Sequence, residues 1–153
     1  MSEGPAKSGE SWLRLKFTWV GLISLAAILG FIAAIAIPSY GDYTHRVQAS
    51  ETVSLMGQAK TSLAEYFQNM KRWPNRIDEV AHNTSGKYTL AVSITKGAGG
   101  TGEIELTGTL RTEGVDKRVA GTTILMISQD GGRNWICKPG TILGKNVSAS
   151  CRN

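Results

Sequence analysis

Cys137 and Cys151, with His45 and His82, are the side chains here best suited to redox or metal chemistry. The two cysteines lie close together near the C-terminus and can close a short loop. A bridge there would stabilise by about 3 kcal/mol on the chain-entropy account. Pairing requires an oxidising compartment, and two reduced thiols are the alternative. Neither histidine lies near the cysteines in sequence, so the spacing of a zinc site is missing. His45 and His82 read instead as solvated. No Gly-x-Ser-x-Gly turn is present, and no nucleophile, base and acid fall into a recognisable set. Lys96-Gly-Ala-Gly-Gly-Thr-Gly is glycine-rich but lacks the Gly-Lys-Ser/Thr of a phosphate loop, and reads as a turn. The residues thus imply no enzyme, no metal and no cofactor. Asn83-Thr-Ser and Asn146-Val-Ser match the glycan acceptor pattern. Arg133, Lys138, Lys145 and Arg152 form a basic tail able to meet a DNA backbone; a solvated rim is the plainer reading.

The elements that must position these residues begin with an apolar run from Val20 to Ile37. It carries no charge, one Ser (Ser24) and two glycines (Gly21 and Gly30). As a helix it spans roughly 27 Å, close to the ~30 Å core of a bilayer. Trp19 or Phe17 extends it into the interface. A helix without a polar face has no side to turn to water. Lys7, Arg14 and Lys16 precede the run, and the first basic residue beyond it is Arg46. The positive-inside bias places the N-terminus in the cytoplasm and residues from Ser39 onward across the membrane. The expected organisation is a cytoplasmic leader over 1–16, a transmembrane helix over 17–38 and an extracytoplasmic head over 39–153. Ala34-Ile35-Ala36 also reads as a signal-peptidase site, so a protein released after Ala36 is a rival. Against it, the run exceeds the roughly 7–15 residues of a secretory h-region.

The chain has 153 residues and a net charge of +5. Past Pro38 there are fourteen Lys and Arg against ten Asp and Glu, and no run of five like charges. Such a mild, scattered excess does not specify a nucleic-acid module. Pro38 is expected to kink the helix at the membrane exit. Beyond it, Tyr40, Tyr43, Val47, Val53, Met56, Leu63, Phe67 and Met70 recur at helical spacing, with Gln48, Glu51, Gln58, Glu65 and Gln68 on the other side. That predicts an amphipathic helix fading before Pro74, then one short turn over 76–81. From Tyr88 the period becomes two. Strands are expected over 88–95, 103–110, 122–127 and 135–138, joined by tight turns. The fold class is α+β: a long N-terminal helix, half transmembrane and half amphipathic, packed on a four-stranded antiparallel sheet. Trp73 and Trp135 are expected to pack in the core or on the sheet.

These residues carry a resemblance. Phe17-Thr18 opening an apolar helix, Ala-Ala-Ile-Ala-Ile-Pro-Ser-Tyr-Gly-Asp-Tyr over 33–43, and Ala64-Glu-Tyr-Phe resemble the start of a type IV pilin. Lys71-Arg72-Trp73-Pro74 looks like the end of the pilin helix. Gly132-Arg-Asn-Trp-Ile-Cys through Ser150-Cys-Arg-Asn looks like the family's C-terminal disulfide loop. The resemblance implies a subunit of pilus assembly, adhesion or motility, whose partners are pilin subunits or assembly proteins met through the helix. Ala26, Gly30 and Ala34 fall four apart, and small residues so spaced let helices approach closely in lipid. Two departures stand out. Pilin precursors usually carry Gly just before the new N-terminal Phe; here Lys16 precedes Phe17. Mature pilins usually carry Glu where this chain has Gly21. Both imply poor processing at Lys16–Phe17 and an uncleaved, inner-membrane, pilin-like protein with a periplasmic head. A membrane-tethered interaction domain of pilin fold, unrelated to fibres, is the alternative.

Overall fold

The computed structural model describes residues 9–152, with side chains described from residue 18 except at 36–40 and 42. Most of the expected leader, residues 1–8, lies outside the described residues. One helix, α1, runs Gly9–Met70, starting four residues before the Leu13 expected from sequence. The chain divides into two compact units, 1–41 and 42–153, each described here by itself.

In the second unit, α1 ends where Lys71 turns to a φ of 57°. The Lys71 N–H closes the last turn on the Phe67 carbonyl at 2.8 Å. That is a left-handed cap, and Pro74 follows where helix cannot continue. A 3-10 turn, Ile77–Glu79, leads to the sheet.

The sheet is an antiparallel meander in the order β1-β2-β3-β4. Its strands are β1 (Thr89–Lys96), β2 (Ile104–Leu110), β3 (Thr123–Ser128) and β4 (Ile136–Pro139). All four strands lie within a residue or two of the spans expected from alternation. The β1–β2 turn is glycine-rich and short, as its composition requires. The β2–β3 connection is not tight: residues 111–122 form a folded loop that contributes fully buried Val119 to the core.

The apolar stripe on α1 is correct from Val53 to Phe67 and wrong toward both ends. Met56 and Leu63 are fully buried, and Val53 and Phe67 pack against the core. Tyr43, Val47 and Met70 are instead 66%, 40% and 51% exposed. The buried face passes through His45, Gln48, Ala49, Thr52, Leu55, Met56, Ala59 and Leu63. These recur at three and four, so the period was right and the phase wrong. Small side chains set that phase. A Cβ added to Gly108 on β2 would strike Thr52 Cγ2, and Met56 Sδ at 2.6 Å. The sheet backbone approaches the helix closely there, and a glycine on the strand opposite Thr52 leaves room for it. His45, expected to be solvated, is 2% exposed because it lies on this face.

The β1–β2 hairpin is tied to the end of α1 through Trp73. Its backbone N–H donates to the Gly100 carbonyl at 2.7 Å and its indole Nε1–H to the Gly102 carbonyl at 2.8 Å. The Gly99 N–H returns to the Pro74 carbonyl at 3.0 Å. The Trp73 ring is fully buried, with centroids 4.4 Å from Phe67 and 6.2 Å from Trp135. Burying a ring of that size supplies more than any single aliphatic contact in so small a core.

Candidate assembly surface

Within the first unit, Thr18–Ile35 is long and apolar enough to cross a membrane, and none of it is buried. Its large apolar side chains, from Trp19 to Ile35, are each between 53% and 69% exposed. Burying one such side chain is worth about 1.5–3 kcal/mol. Ten together are a strong demand for lipid or other helices. No polar side interrupts the surface: the Ser24 hydroxyl donates to the Gly21 carbonyl at 2.9 Å, on its own helix. A hydroxyl so satisfied needs no water and no partner.

Ala26, Gly30 and Ala34 are all exposed and four residues apart on this helix. A Cβ at Gly21 or Gly30 would meet nothing within 4 Å. The backbone at both positions is therefore open to close approach. Lys16, Phe17 and Pro38 lie in α1, but their side chains are outside those described, and so is the expected kink.

In the second unit, Cys137 on β4 and Cys151 are joined by a disulfide, with Cα atoms 4.6 Å apart. The bridge holds the C-terminal tail, with its 3-10 turns Gly144–Asn146 and Ala149–Cys151, against the edge of the sheet. Ile142 and Val147 of that tail are buried in the core. The sequence-predicted basic residues Arg133, Lys138, Lys145 and Arg152 are exposed, and His82 lies on the surface. His82, His45 and the cystine are not brought together. Among the described residues no three His, Cys, Asp or Glu side chains gather to hold a metal. Asn146, in the second acceptor pattern, is 1% exposed, while Asn83 is exposed.

Two polar anchors, partly buried Glu51 and buried Gln48, escaped the sequence reading, because both were assigned to a solvent face. Glu51 Oε1 accepts the Tyr88 N–H at 2.9 Å, the Thr89 N–H at 3.0 Å and the Thr89 hydroxyl at 3.1 Å. Gln48 Oε1 accepts the Asp116 N–H at 2.8 Å. The Asp116 carboxyl sits below the ordinary carboxylate range, chiefly through the backbone N–H of Arg118. Their spacing from Thr52 and Leu55 was the available signal.

Comparison with known proteins bears directly on this geometry. A family model described as pilin, a bacterial filament protein, matches residues 46–152. The chain belongs to the type IV pilin family. It is 36% identical over 141 residues to the fimbrial protein EcpC of Eikenella corrodens, covering 90% of each chain. It is 34% identical to the type IV major pilin protein PilE of Neisseria gonorrhoeae, covering 82% of this chain and 74% of that one. A shorter match, 39% over 82 residues, is to the type IV major fimbrial protein FimA of Dichelobacter nodosus, about half of each chain. A match over 90% of the chain necessarily takes in the apolar helix as well as the head. In this pilin the longest run of exposed apolar side chains among the described residues is on that helix.

Proposed function

We propose that this pilin remains anchored in the inner membrane by an unprocessed N-terminal helix and serves the pilus as an accessory subunit rather than as bulk fibre. In this reading residues 1–16 stay in the cytoplasm, 17–38 cross the bilayer and 39–153 stand in the periplasm. The observation that carries it is the pair of departures at Lys16 and Gly21. A long cation replaces the small residue before Phe17, where a processing peptidase must fit the chain. Gly21 removes the carboxylate that, in the family, is thought to meet a neighbour's N-terminal ammonium and set register. A helix without that carboxylate also lacks the cost of carrying one through lipid.

The fully exposed apolar span supports membrane residence. The open backbone at Gly30, with Ala26 and Ala34 exposed one turn to either side, supports contact with other pilin helices in that membrane. Pro38 softens the helix where it leaves the apolar span. Roles in adhesion, motility or DNA uptake belong to the assembled pilus and follow from association.

The relatives named major pilins favour a second reading, in which this chain too is a fibre subunit. Intact-mass measurement on the membrane-extracted protein, with fractionation of sheared pili, separates the two. The accessory reading expects an N-terminus upstream of Phe17 and protein retained in the membrane fraction. A mass beginning at a methylated Phe17, with the protein abundant in sheared fibres, would overturn it.

A further inference from the structure

In the head, the turn between β3 and β4 closes on the last turns of α1. Two glycines allow that approach. Gly131 and Gly132 have φ of 73° and 86°, a region open chiefly to glycine. A Cβ on Gly131 would lie 2.7 Å from Phe67 Cε1, and one on Gly132 would lie 2.8 Å from Ala64 Cβ. The turn is also fixed from within. Asp130 Oδ1 accepts the Asn134 N–H at 2.9 Å and the Ser128 hydroxyl at 3.0 Å. The Ser128 oxygen accepts the Gly132 N–H at 3.0 Å. The Trp135 indole N–H donates to the Gly132 carbonyl at 3.0 Å.

Two hollows open between this turn and the helix, of about 360 and 520 Å³. Gln68 and Arg133 line both of them. Lys60 lines the first and Lys71 the second, so Arg133 shares a hollow with each lysine. Among the described residues none of these three cations is in an ion pair. The carboxylates in the walls differ. Asp130 already engages Asn134 and Ser128 with its two oxygens. Glu65 is exposed and lines the first hollow. Gln68 and Asn69 add amides, which both donate and accept. Trp135 lines the first hollow with its N–H already taken, so its ring is an apolar surface there.

We propose that these hollows bind a stretch of acidic polysaccharide. Charge spacing selects that occupant. Lys60 and Lys71 are eleven residues apart, about 16 Å along a helix axis. With Arg133 that is about one cation per 8 Å, interrupted by the Glu65 carboxylate. A nucleic-acid strand carries a phosphate about every 3.4 Å and would press several charges on Glu65. A polymer whose carboxylates are separated by hydroxyl-bearing rings fits the pattern. Its carboxylates meet the Arg133 fork and the two lysines. Its hydroxyls donate to Glu65 and bond to the amides of Gln68 and Asn69. The proposal goes beyond the anchored reading and does not rest on it, because every group it uses lies between residues 60 and 135 of the head.

Calorimetric titration of the full chain in phosphatidylcholine nanodiscs tests this. The probe is a hexamer of galacturonate, and its fully methyl-esterified form is the uncharged control. The acid should bind saturably and about tenfold more tightly than the ester. Amides of 60–71 and 131–135 should exchange more slowly when it is bound. Arg133→Gln should weaken binding about tenfold, and Lys60→Gln supplies the same comparison should the first variant lose its fold. Lys138→Gln, which lines neither hollow, should bind as the unmodified chain does. No binding of the acid, equal binding of acid and ester, or binding undiminished in both hollow variants overturns the proposal and leaves the anchored reading standing. Tighter binding of a single-stranded hexanucleotide or of a hexaglutamate peptide at these residues also overturns it, in favour of nucleic acid or an acidic protein segment.

Discussion

One carboxylate oxygen of Glu51 accepts both the backbone N–H and the hydroxyl of Thr89. Thr89 opens β1 and is fully buried, and its hydroxyl also meets the Thr52 hydroxyl at 2.9 Å. A single helix side chain thereby fixes where the first strand begins. Glu51→Ala leaves the Tyr88 and Thr89 N–H groups without their acceptor. We expect a loss of about 2–4 kcal/mol in urea unfolding followed by circular dichroism. Glu51→Gln, which keeps a carbonyl oxygen, should lose about half as much. Equal losses would show that volume, not acceptance, matters there.

Trp73→Phe separates the ring from its N–H. The aromatic contact with Phe67 survives in part, and the Gly102 carbonyl loses its donor. The expected cost is about 1–2 kcal/mol, against about 3–5 kcal/mol for Trp73→Ala. Exchange of amides in the β1–β2 turn should rise in both variants, since Trp73 is the tie between that turn and the helix end.

Replacing Cys137 and Cys151 together by Ser should lower stability by about 3 kcal/mol. The effect should be matched by reducing the unmodified protein and be absent when the double variant is reduced. The tail buries Ile142 and Val147. Limited proteolysis should therefore cut first within 140–152 once the bridge is gone.

Acid should destabilise the head through its depressed carboxyls. Asp130 is held below the ordinary range chiefly by the backbone N–H of Asn134, with the Asn134 side chain and Ser128 adding to it. Asp116 is likewise depressed, chiefly by the backbone N–H of Arg118. Each folded value lies below the unfolded one. Their stabilisation is complete above the usual carboxylate range, about pH 4, and is lost as pH falls through the folded values. Thermal midpoints should be level from neutral pH to about pH 5 and fall below about pH 4. Asp130→Asn should make that fall shallower.

The two departures in the helix can be reversed. Lys16→Gly restores a small residue before Phe17, and Gly21→Glu meets nothing within 4 Å of its new Cβ. The double variant should gain processing and enter sheared fibres, read by intact mass and fractionation. If the unmodified protein is already processed to the same extent, neither residue acts as the switch.

Much of this architecture could be read from residue pattern. Alternation over Tyr88–Thr95 and Glu103–Leu110 located β1 and β2, because each strand turns one face to the helix. Trp73 was expected to be buried and is. The register of the helix face was harder. It is set where Gly108 of β2 comes up against Thr52 and Met56, a contact absent from any local pattern. Large apolar residues such as Tyr43 and Val47 drew the stripe toward solvent. His45, Gln48 and Glu51 were misplaced for the same reason. The 111–122 loop was missed as a core element because Val115 and Val119 are isolated apolar residues in a largely polar segment, too few to set a period.

The short β4 has a further consequence. The sheet ends on four residues, the last of them Pro139, with the cystine-held tail beside it. Such a margin offers few free amides to an incoming strand. An incoming strand therefore finds little purchase on the β4 side, and the tail lying there acts as a guard against lengthening of the sheet in that direction.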